Sequence, residues 1–594
     1  MNTILGELGK NSKFIELLKN VENKQSPIVI SGLNDVGMLQ LGTAINEFGK
    51  KPICILTYNE IQAKKIYEDI KYFTDKVVFF PKKEVVTYDY IAESKDIPYK
   101  RIEALNKIAT KKNLVVITTI EAATQKLPQK DVLYKNKLHF KTGESYNLEE
   151  LKQKLVSLGY SRYDLIEGRG QFSVRGGIVD IATNEKIGIR IEFWGDDIDS
   201  IREFNIETQR SIKNIETATI YPAHEYILEE PTEKTCKKIK EKYKNSKKQD
   251  VIEEDIEQIK TGNYISKIDK YFDCFYEKQE TILDYLNKDY VVFLDEINKI
   301  ETRSTNIKED RKNLERSLIE KERQIPEAIT NILEFEQIQE ILDKKQVIYI
   351  QKQDTQIKVQ GEKYNFNYRT VNYYKSETTT FIEDLKKAVK EKKTIYILTE
   401  NKEKAKKIKS MLEEQEIICK IEEKLDQTII VKSRENVVTI SIGKISTGFE
   451  NYDLNQLVIS ADDLINGEKK KRRVAHTAFK EGEKVVFDEL KIGDYVVHRN
   501  YGIGIYIGVN TIKADGTIKD YIKIKYRDDD VLYIPTTDLD IIRKYTGGDK
   551  LKPKINKLGT KEWEKTTAKV KNNLREVAKE LIELYAKREK IQGY

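Results

Sequence analysis

Short runs of apolar, β-branched residues alternate with helical stretches near the start of the chain. Strand runs stand at 28–30, 53–56, 77–80 and 114–118, and helical stretches run to about Phe48 and from Asn59 to Phe73. Such alternation is typical of a parallel sheet whose strands are joined by crossover helices. The sequence therefore predicts an α/β domain over residues 1 to about 125.

The segment ILTYNEIQAKKI at 55–66 returns as ILTENKEKAKKI at 397–408. Reuse of one fold and chance in a chain rich in Lys and Ile both explain this echo. Reuse is favoured because each copy starts on an apolar strand end and carries an Asn near a helix start, where its side chain can cap the helix. We therefore expect a second α/β domain around 394–465.

Two further regions have a different pattern. Strands at 173–175, 177–181 and 187–194, bounded by Gly and Asp turns, predict a smaller α+β insertion. Turn signals every eight to ten residues between about 484 and 546 predict a small β-barrel.

Near the end of the chain, apolar residues at every third or fourth position predict one long helix: Val570, Leu574, Val577, Leu581 and Tyr585.

The stretch 28–39 has the strand, glycine spacing and following helix of a phosphate-binding loop, with Gly32 and Gly37 at the loop positions. Met38, however, stands where the loop lysine would reach the phosphates. Leu39 stands where a Ser or Thr hydroxyl would bind magnesium. We therefore expect a degenerate loop that does not hydrolyse ATP.

An acidic pair, Asp295 and Glu296, follows the apolar run 291–294. In an intact ATPase such a strand end organises magnesium and water. Two interpretations stay open here: the pair simply ends a strand, or it is the relic of an ATPase fold. No intact GxxxxGK[ST], nucleophile elbow or metal triad occurs in the sequence, so surfaces are expected to matter more than pockets.

The insertion carries a candidate binding surface. Strand alternation over 189–194 places the residues Ile189, Ile191 and Phe193 on one face and Arg190, Glu192 and Trp194 on the other. If the Ile/Phe face packs inward, Trp194 and Arg190 point to solvent, with Arg175 on a nearby strand. Trp and Arg are enriched at binding hot spots. The alternative is that Trp194 is covered by its own domain.

A second candidate surface lies in the predicted barrel. Residues 509–513 run to an Asp-Gly hairpin turn, and an edge strand with an outward Ile512 would let a partner's strand add on. The alternative is that Ile512 is a core residue. The basic run 469–473 is either a solvated linker, which is favoured, or a contact for DNA phosphates.

Composition narrows the class of protein. The 594 residues include 105 Lys and Arg against 98 Asp and Glu, a net charge of +7 that permits nucleic-acid contact without requiring it. Four scattered Cys and four scattered His form no disulfide framework or metal motif. No apolar run is long enough for a membrane helix, and the N-terminus lacks a signal peptide's apolar core. We expect a soluble cytoplasmic protein with no membrane partner.

These motifs resemble the bacterial transcription-repair coupling factors. Residues 172–181 and 190–202 are similar to the region that this family shares with the excision-nuclease protein UvrB. Residues 493–498, 501–504 and 532–535 are similar to the family's RNA polymerase-interacting barrel, which UvrB lacks. The degenerate phosphate loop agrees, because UvrB keeps its loop lysine.

The resemblance implies partners and contact residues. Residues 1 to about 350 would form a UvrB-like module that recruits the excision-nuclease protein UvrA through Arg175, Arg190 and Trp194. Trp194 departs from the Phe usual in the family and keeps an aromatic ring. The barrel would bind the β subunit of RNA polymerase through Thr511, Ile512 and Lys513.

The resemblance also implies that the family's ATP-dependent motor, which translocates on double-stranded DNA, follows the long helix and is absent from these 594 residues. ATP and magnesium are implied for that motor. For this chain we expect no catalytic residues, no cofactor and no metal.

The resulting fold class is multidomain α/β. The expected segments are the first part of a degenerate phosphate-loop-like α/β domain at 1–128, an inserted UvrA-binding α+β domain at 129–215, the second part of the α/β module at 216–350, a second α/β domain at 351–468, a polymerase-interacting β-barrel at 484–548 and a long linker helix at 558–590.

We expect an adaptor that couples stalled RNA polymerase to nucleotide-excision repair. One alternative is a UvrB-like damage-binding helicase, against which Met38 argues. The other is a stand-alone polymerase-binding regulator that uses only the barrel.

Overall fold

The structure is a computed structural model that describes residues 3–83, 96–227, 232–260, 265–320, 332–352, 359–371, 378–422, 437–461, 492–498, 501–514, 517–535, 542–545, 553–558, 562–563 and 566. The chain forms two compact units, one of residues 1–85, 95–308 and 325–473, the other of 86–94, 309–324 and 474–594. No helix among the described residues combines the length and apolar character needed to cross a bilayer.

The first unit begins with alternating strands and helices, as predicted. Its elements up to the insertion are α1 (Thr3–Gly6), α2 (Ser12–Glu22), β1 (Ile28–Ser31), α3 (Asp35–Gly49), β2 (Ile53–Thr57), α4 (Glu60–Ile70), β3 (Val77–Phe80), α5 (Asp96–Thr110), β4 (Val115–Thr119), α6 (Ile120–Ala123), β5 (Leu127–Pro128) and α7 (Lys130–Lys135).

The insertion is built mainly on an antiparallel sheet. Its elements are β6 (Leu138–Lys141), α8 (Leu148–Ser157), β7 (Ser161–Arg162), β8 (Gln171–Arg175), β9 (Ile178–Ile181), β10 (Ile187–Trp194), β11 (Asp197–Asn205), β12 (Ser211–Ile215) and β13 (Thr217–Ile220). Strands β7 to β12 form one sheet in sequence order, and β13 pairs with β6. The α+β insertion is thus present, and β13 extends it beyond the predicted end at 215.

The chain then returns to the first sheet. The elements are α9 (Thr232–Lys242), α10 (Gln249–Lys260), α11 (Ile265–Phe275), β14 (Gln279–Glu280), α12 (Ile282–Tyr285), β15 (Val291–Asp295), α13 (Ile297–Glu320), α14 (Phe335–Leu342), β16 (Gln346–Gln351) and β17 (Glu362–Asn365). Helices α9 to α11 bury a core of their own that includes Ile239, Ile256 and Phe272. This helical subdomain was not predicted from the sequence.

The first sheet is parallel, with strand order β17-β1-β16-β15-β2-β4-β3. Successive residues of β2 enter two different cores: Ile53 and Ile55 join one, and Cys54 and Leu56 join the other. Both faces are therefore covered, as expected for a parallel sheet. Strand β17 lies in this sheet, so the change of sheet comes after the predicted boundary at 350.

The second α/β domain carries its own six-stranded sheet, in the order β18-β22-β23-β19-β21-β20. Its elements are β18 (Tyr368–Thr370), α15 (Thr378–Lys390), β19 (Thr394–Thr399), α16 (Lys402–Glu413), β20 (Cys419–Glu422), β21 (Val438–Ile442), β22 (Phe449–Asn451) and β23 (Gln456–Ser460). Ile445, Phe449 and Val458 join one of the cores of the first sheet, so the two α/β domains are packed together.

The sequence echo has the same local structure in both copies. Asn59 caps α4 with φ −153° and ψ 167°, and its side chain accepts a hydrogen bond from the N–H of Gln62. Asn401 caps α16 with φ −154° and ψ 167°, and it accepts from Lys404 N. The two copies therefore share one strand, cap and helix pattern.

The second unit contains an antiparallel sheet in the order β27-β26-β25-β24-β28. Its strands are β24 (Tyr495–His498), β25 (Gly502–Ala514), β26 (Thr517–Lys525), β27 (Val531–Pro535) and β28 (Ile542–Lys544). Among the residues that the structure describes, the outer strands β27 and β28 do not pair, so the predicted closed barrel is wrong. The basic run 469–473 and nearly all of the predicted helix 558–590 lie outside the described residues.

Candidate functional site

The degenerate phosphate loop has the expected backbone and an apolar interior. β1 ends at Ser31, Gly32 has a φ of +75°, and the Asn34 side chain accepts a hydrogen bond from the N–H of Gly37 at 2.7 Å as α3 begins. Met38 and Leu39 are both fully buried in the core. The two positions that would serve a phosphate and a metal therefore serve packing instead.

The segment before and within β18 covers this loop. The backbone N–H groups of Phe366 and Tyr368 donate to the carbonyls of Ser31 and Gly32 at 3.0 and 2.9 Å. The Tyr368 ring lies so close to Gly37 that a Cβ there would be 2.5 Å from its Cδ1 atom. Only a glycine fits under this ring, and residues 366–368 pack directly against both loop glycines.

A polar contact fixes the covering ring. The hydroxyl of Tyr368 donates to Gln40 Oε1 at 2.8 Å, and Gln40 Nε2 donates to Gln456 Oε1 at 3.1 Å. Gln40 and Gln456 are fully buried, the first in α3 and the second in β23. The loop closure is thus tied to the contact between the two α/β domains.

The acidic strand end faces a lysine that was not predicted from the sequence. Lys352 directly follows β16, and its Nζ lies 2.5 Å from Asp295 Oδ1 and 2.6 Å from Asp35 Oδ1. Thr57 Oγ1 donates to the other oxygen of Asp295 at 2.8 Å, and Lys65 Nζ lies 2.7 Å from Asp35 Oδ2. The signal for Lys352 was its place after an apolar strand, because parallel strands end at one sheet edge.

The charges at this edge stabilise one another. Burial alone would raise the pKa of Asp35, but the ammonium groups of Lys352 and Lys65 outweigh it and hold that pKa well below its usual range. Burial would lower the pKa of Lys352, but Asp295 and Asp35 raise it. The backbone N–H of Lys352 also donates to Glu296 Oε1 at 2.6 Å.

These residues do not fit a magnesium nucleotide. The structure brings Gly32, Gly37, Asp295 and Glu296 to one edge of the sheet, as the relic interpretation requires. The loop is covered by Tyr368, however, and the acidic pair is engaged by Lys352. We therefore derive no chemical step at this edge.

The exposed surface of the insertion matches the predicted alternation. Ile189, Ile191 and Phe193 are buried, Arg190 is half-buried, and Trp194 is 85% exposed where β10 turns into β11. The alternative in which Trp194 is covered by its own domain is therefore wrong. Phe193 N donates to Gly177 O at 2.7 Å, which brings the β8–β9 turn beside the Trp194 end of β10.

A buried carboxylate holds both predicted arginines. Asp180 is fully buried and accepts from Arg190 Nε at 2.7 Å, Arg190 Nη2 at 3.0 Å and Arg175 Nη2 at 2.8 Å. The hydrogen bonds to Asp180 raise the pKa of Arg190. The Arg190 guanidinium also stacks 4.5 Å from the centre of the Phe204 ring. Asp180 was not predicted from the sequence; it fixes Arg190 and leaves the Arg175 side chain half-exposed.

The second predicted surface lies on the far part of β25. Thr511, Ile512 and Lys513 pair with residues 518–520 of β26, and the side chains of 510–521 lie outside the described residues. β24 pairs with 502–505 only. Among the described residues, the strand beyond Gly508 therefore has β26 on one side and an open edge on the other.

The near end of β25 is fixed by Asn556, which precedes the predicted long helix, and by Trp563, which lies within the range predicted for that helix. Ile503 N donates to Asn556 Oδ1 at 2.8 Å, and Asn556 N donates back to Ile503 O at 2.9 Å. The Trp563 ring packs on Gly502, where a Cβ would lie 2.8 Å from its Cε3 atom. The fluorescence of Trp563 can therefore report the unfolding of this sheet.

Acid is expected to destabilise this sheet through His498. Burial lowers the pKa of this side chain to about 4, from an ordinary value near 6.5. Between these values the unfolded chain binds a proton that the folded chain does not, so stability falls as pH drops through this window, by up to about 3 kcal/mol. Urea unfolding at pH 7 and pH 5, followed by Trp563 fluorescence in a Trp194→Phe background, should show about 2 kcal/mol of this loss, because pH 5 lies part of the way through the window.

The matched comparison is His498→Gln, which keeps a polar side chain and removes the titration. Its loss of stability between pH 7 and pH 5 should be clearly smaller than that of the parent. His139→Gln, at an exposed site in the first unit, should leave the acid loss of this sheet unchanged. Equal acid losses in the parent and in His498→Gln would show that another group is responsible.

Two family models match the regions of the chain that carry the two candidate surfaces. Residues 138–226 match the family model described as UvrB interaction domain, and residues 490–546 match the one described as CarD-like/TRCF RID domain. This chain is 28% identical to the transcription-repair-coupling factor of Staphylococcus aureus (strain bovine RF122 / ET3-1) over 613 residues. It is also 28% identical to the transcription-repair-coupling factor of Bacillus subtilis (strain 168) over 620 residues.

These alignments cover 100% of this chain and 51% of each relative, so the chain spans about half the length of the relatives it matches. The resemblance inferred from the sequence motifs is confirmed along the whole chain.

Proposed function

We propose that this chain, which is similar over its whole length to the N-terminal part of transcription-repair-coupling factors, is an adaptor that binds RNA polymerase and recruits the excision-nuclease protein UvrA. The observation that carries the proposal is the match of two family models to two separate units. The first presents the exposed Trp194, and the second has a strand, β25, whose far part pairs on one side only among the described residues. ATP-driven movement along double-stranded DNA is expected of the family's motor, and we propose no ATP, magnesium or catalytic residue for this chain.

The proposed UvrA surface combines an exposed aromatic ring with a fixed guanidinium. Trp194 offers a large apolar area that is already in solvent, and the Asp180 carboxylate orders Arg190 and one end of Arg175 before any partner arrives. Side chains fixed in advance lose little conformational entropy on binding. Trp and Arg in this arrangement are typical of interface hot spots.

The proposed polymerase surface is the open edge of β25. An exposed strand edge presents unpaired backbone N–H and C=O groups, to which a strand of the partner can add. We propose that the partner at this edge is the β subunit of RNA polymerase, with Ile512 as the apolar contact and Thr511 and Lys513 beside it. If Ile512 is instead a core residue, the experiment described next should show a loss of stability.

Replacing Ile512 with Glu is expected to weaken polymerase binding at least tenfold, because a carboxylate would be desolvated at the strand contact. Biolayer interferometry with core polymerase measures the change. Tyr533→Glu, at an exposed position on the opposite edge strand β27, serves as the control and should bind normally. A fall in the unfolding midpoint of Ile512→Glu would instead support the core position, and weaker binding by Tyr533→Glu alone would move the interface to β27.

The alternatives lack this support. A damage-binding helicase like UvrB needs a nucleotide on the loop that Tyr368 covers. A regulator that uses only the sheet of the second unit would leave the exposed Trp194 without a role. The deciding measurement is whether UvrA and polymerase bind the same molecule, with each interaction sensitive to its own surface only.

A further inference from the structure

Three parts of the first sheet bring opposite charges together at one edge. Asp35 opens α3 after β1, Asp295 ends β15, and Lys352 follows β16, which lies between those two strands. The Lys352 Nζ atom contacts both carboxylates, at 2.6 and 2.5 Å. Asp295 is fully buried and the Lys352 side chain is only 14% exposed, so solvent screens this contact little.

Without a cation here, the arrangement would be unfavourable. Two carboxylates that share one ammonium group lie close enough to repel each other once that group is removed, and burial denies them water. In phosphate-loop enzymes the positive charge at this place comes from the loop lysine and a magnesium ion. In this chain Met38 and Leu39 occupy the loop positions, and the positive charge arrives from a different strand.

We propose that the ammonium group of Lys352 is a built-in replacement for the cation at this sheet edge, which holds α3, β15 and β16 in one arrangement without a nucleotide. The inference goes beyond the adaptor function, because it concerns how the module keeps its shape and not what it binds. The module therefore keeps one conformation at this sheet edge, and its exposed surfaces have the same arrangement with and without ATP.

The test is thermal unfolding of the full 594-residue chain and of Lys352→Met, with Lys65→Met as the matched control. Lys65 contacts only the Asp35 carboxylate of this pair and is more exposed, so its loss removes one contact and leaves the bridge. Lys352→Met should lower the unfolding midpoint by about 5–10 °C, and Lys65→Met by no more than about 2 °C. Equal midpoints for Lys352→Met and the parent would overturn the proposal.

Added magnesium gives a second readout. In Lys352→Met, millimolar MgCl2 should recover part of the lost midpoint, because the carboxylates of Asp35 and Asp295 then face each other without a cation. In the parent, neither MgCl2 nor magnesium-ATP should shift the midpoint. A rise of the parent's midpoint with magnesium-ATP that Asp295→Asn abolishes would overturn the proposal.

A charge-balanced variant keeps the test decisive if Lys352→Met fails to fold. The triple variant Asp35→Asn, Asp295→Asn and Lys352→Met removes all three charges together, and its midpoint should lie above that of Lys352→Met. If the triple variant were as unstable as Lys352→Met, loss of packing and not loss of the cation would explain the effect, and the proposal would fail.

Discussion

Trp194→Ala is expected to weaken the binding of UvrA by about 30-fold or more, which corresponds to the loss of an interface hot spot. The ring is 85% exposed, so its removal takes away contact area for a partner and almost none of the domain's own packing. Isothermal titration with purified UvrA measures the affinity, and the unfolding midpoint should stay within about 1 °C of the parent.

Ile212→Ala is the matched control for this prediction. Ile212 is also an exposed apolar residue of the same sheet, 53% exposed on β12, but it lies away from the Trp194 turn. It should leave the affinity within about twofold of the parent. If Ile212→Ala weakened binding and Trp194→Ala did not, the contact surface would lie on the β12 edge.

Arg101→Met is expected to lower the free energy of unfolding of the first unit by about 3–5 kcal/mol, because it leaves a buried carboxylate without its partner. Arg101 Nε donates to Glu225 Oε2 at 2.7 Å, and Nη1 donates to Pro81 O and Gln125 Oε1, both at 2.9 Å. The guanidinium also stacks 4.2 Å from the centre of the Phe80 ring. Urea unfolding followed by far-UV circular dichroism gives the free energy.

The same helix offers a control with an exposed ion pair. Lys107 Nζ lies 2.7 Å from Glu103 Oε1, and both side chains are about two-fifths exposed. Lys107→Met should cost no more than about 0.5 kcal/mol. The double variant Arg101→Met with Glu225→Gln should cost less than the sum of the two single changes, since both buried charges leave together. A cost for Arg101→Met no larger than that for Lys107→Met would contradict this account.

The position of this contact bears on the proposed adaptor function. Arg101 belongs to α5 of the sheet module, and Glu225 follows β13, at the end of the insertion that carries Trp194. A buried, multiply bonded arginine at this junction fixes the insertion on the module. This contact therefore joins α5 to the segment that follows the insertion, which carries the proposed UvrA surface.

Features with a local period were predictable from the sequence. The predicted run 187–194 is β10 with the same bounds, and its alternation correctly separates the buried Ile191 and Phe193 from the exposed Trp194. The predicted run 77–80 is β3. The Asn caps of α4 and α16 were also predictable from the sequence, because an N-cap depends only on the three residues that follow it.

Features that depend on distant partners were not predictable. Lys352 meets Asp35 across more than 300 positions of sequence. Its place after an apolar strand marks the sheet edge, but no local pattern shows which carboxylates it meets there. Asp180 carries no signal of its own until pairing of β9 and β10 sets it beside Arg190. The predicted barrel closure was wrong for a related reason: turn spacing predicts strands, but closure requires pairing between the first and last of them.

The most direct test of the adaptor is sedimentation velocity of the chain mixed with core RNA polymerase and UvrA. The account predicts one species that contains all three, from which Trp194→Ala removes only UvrA and Ile512→Glu removes only the polymerase. If the two partners displaced each other, or if one substitution abolished both interactions, the two-surface account would be contradicted.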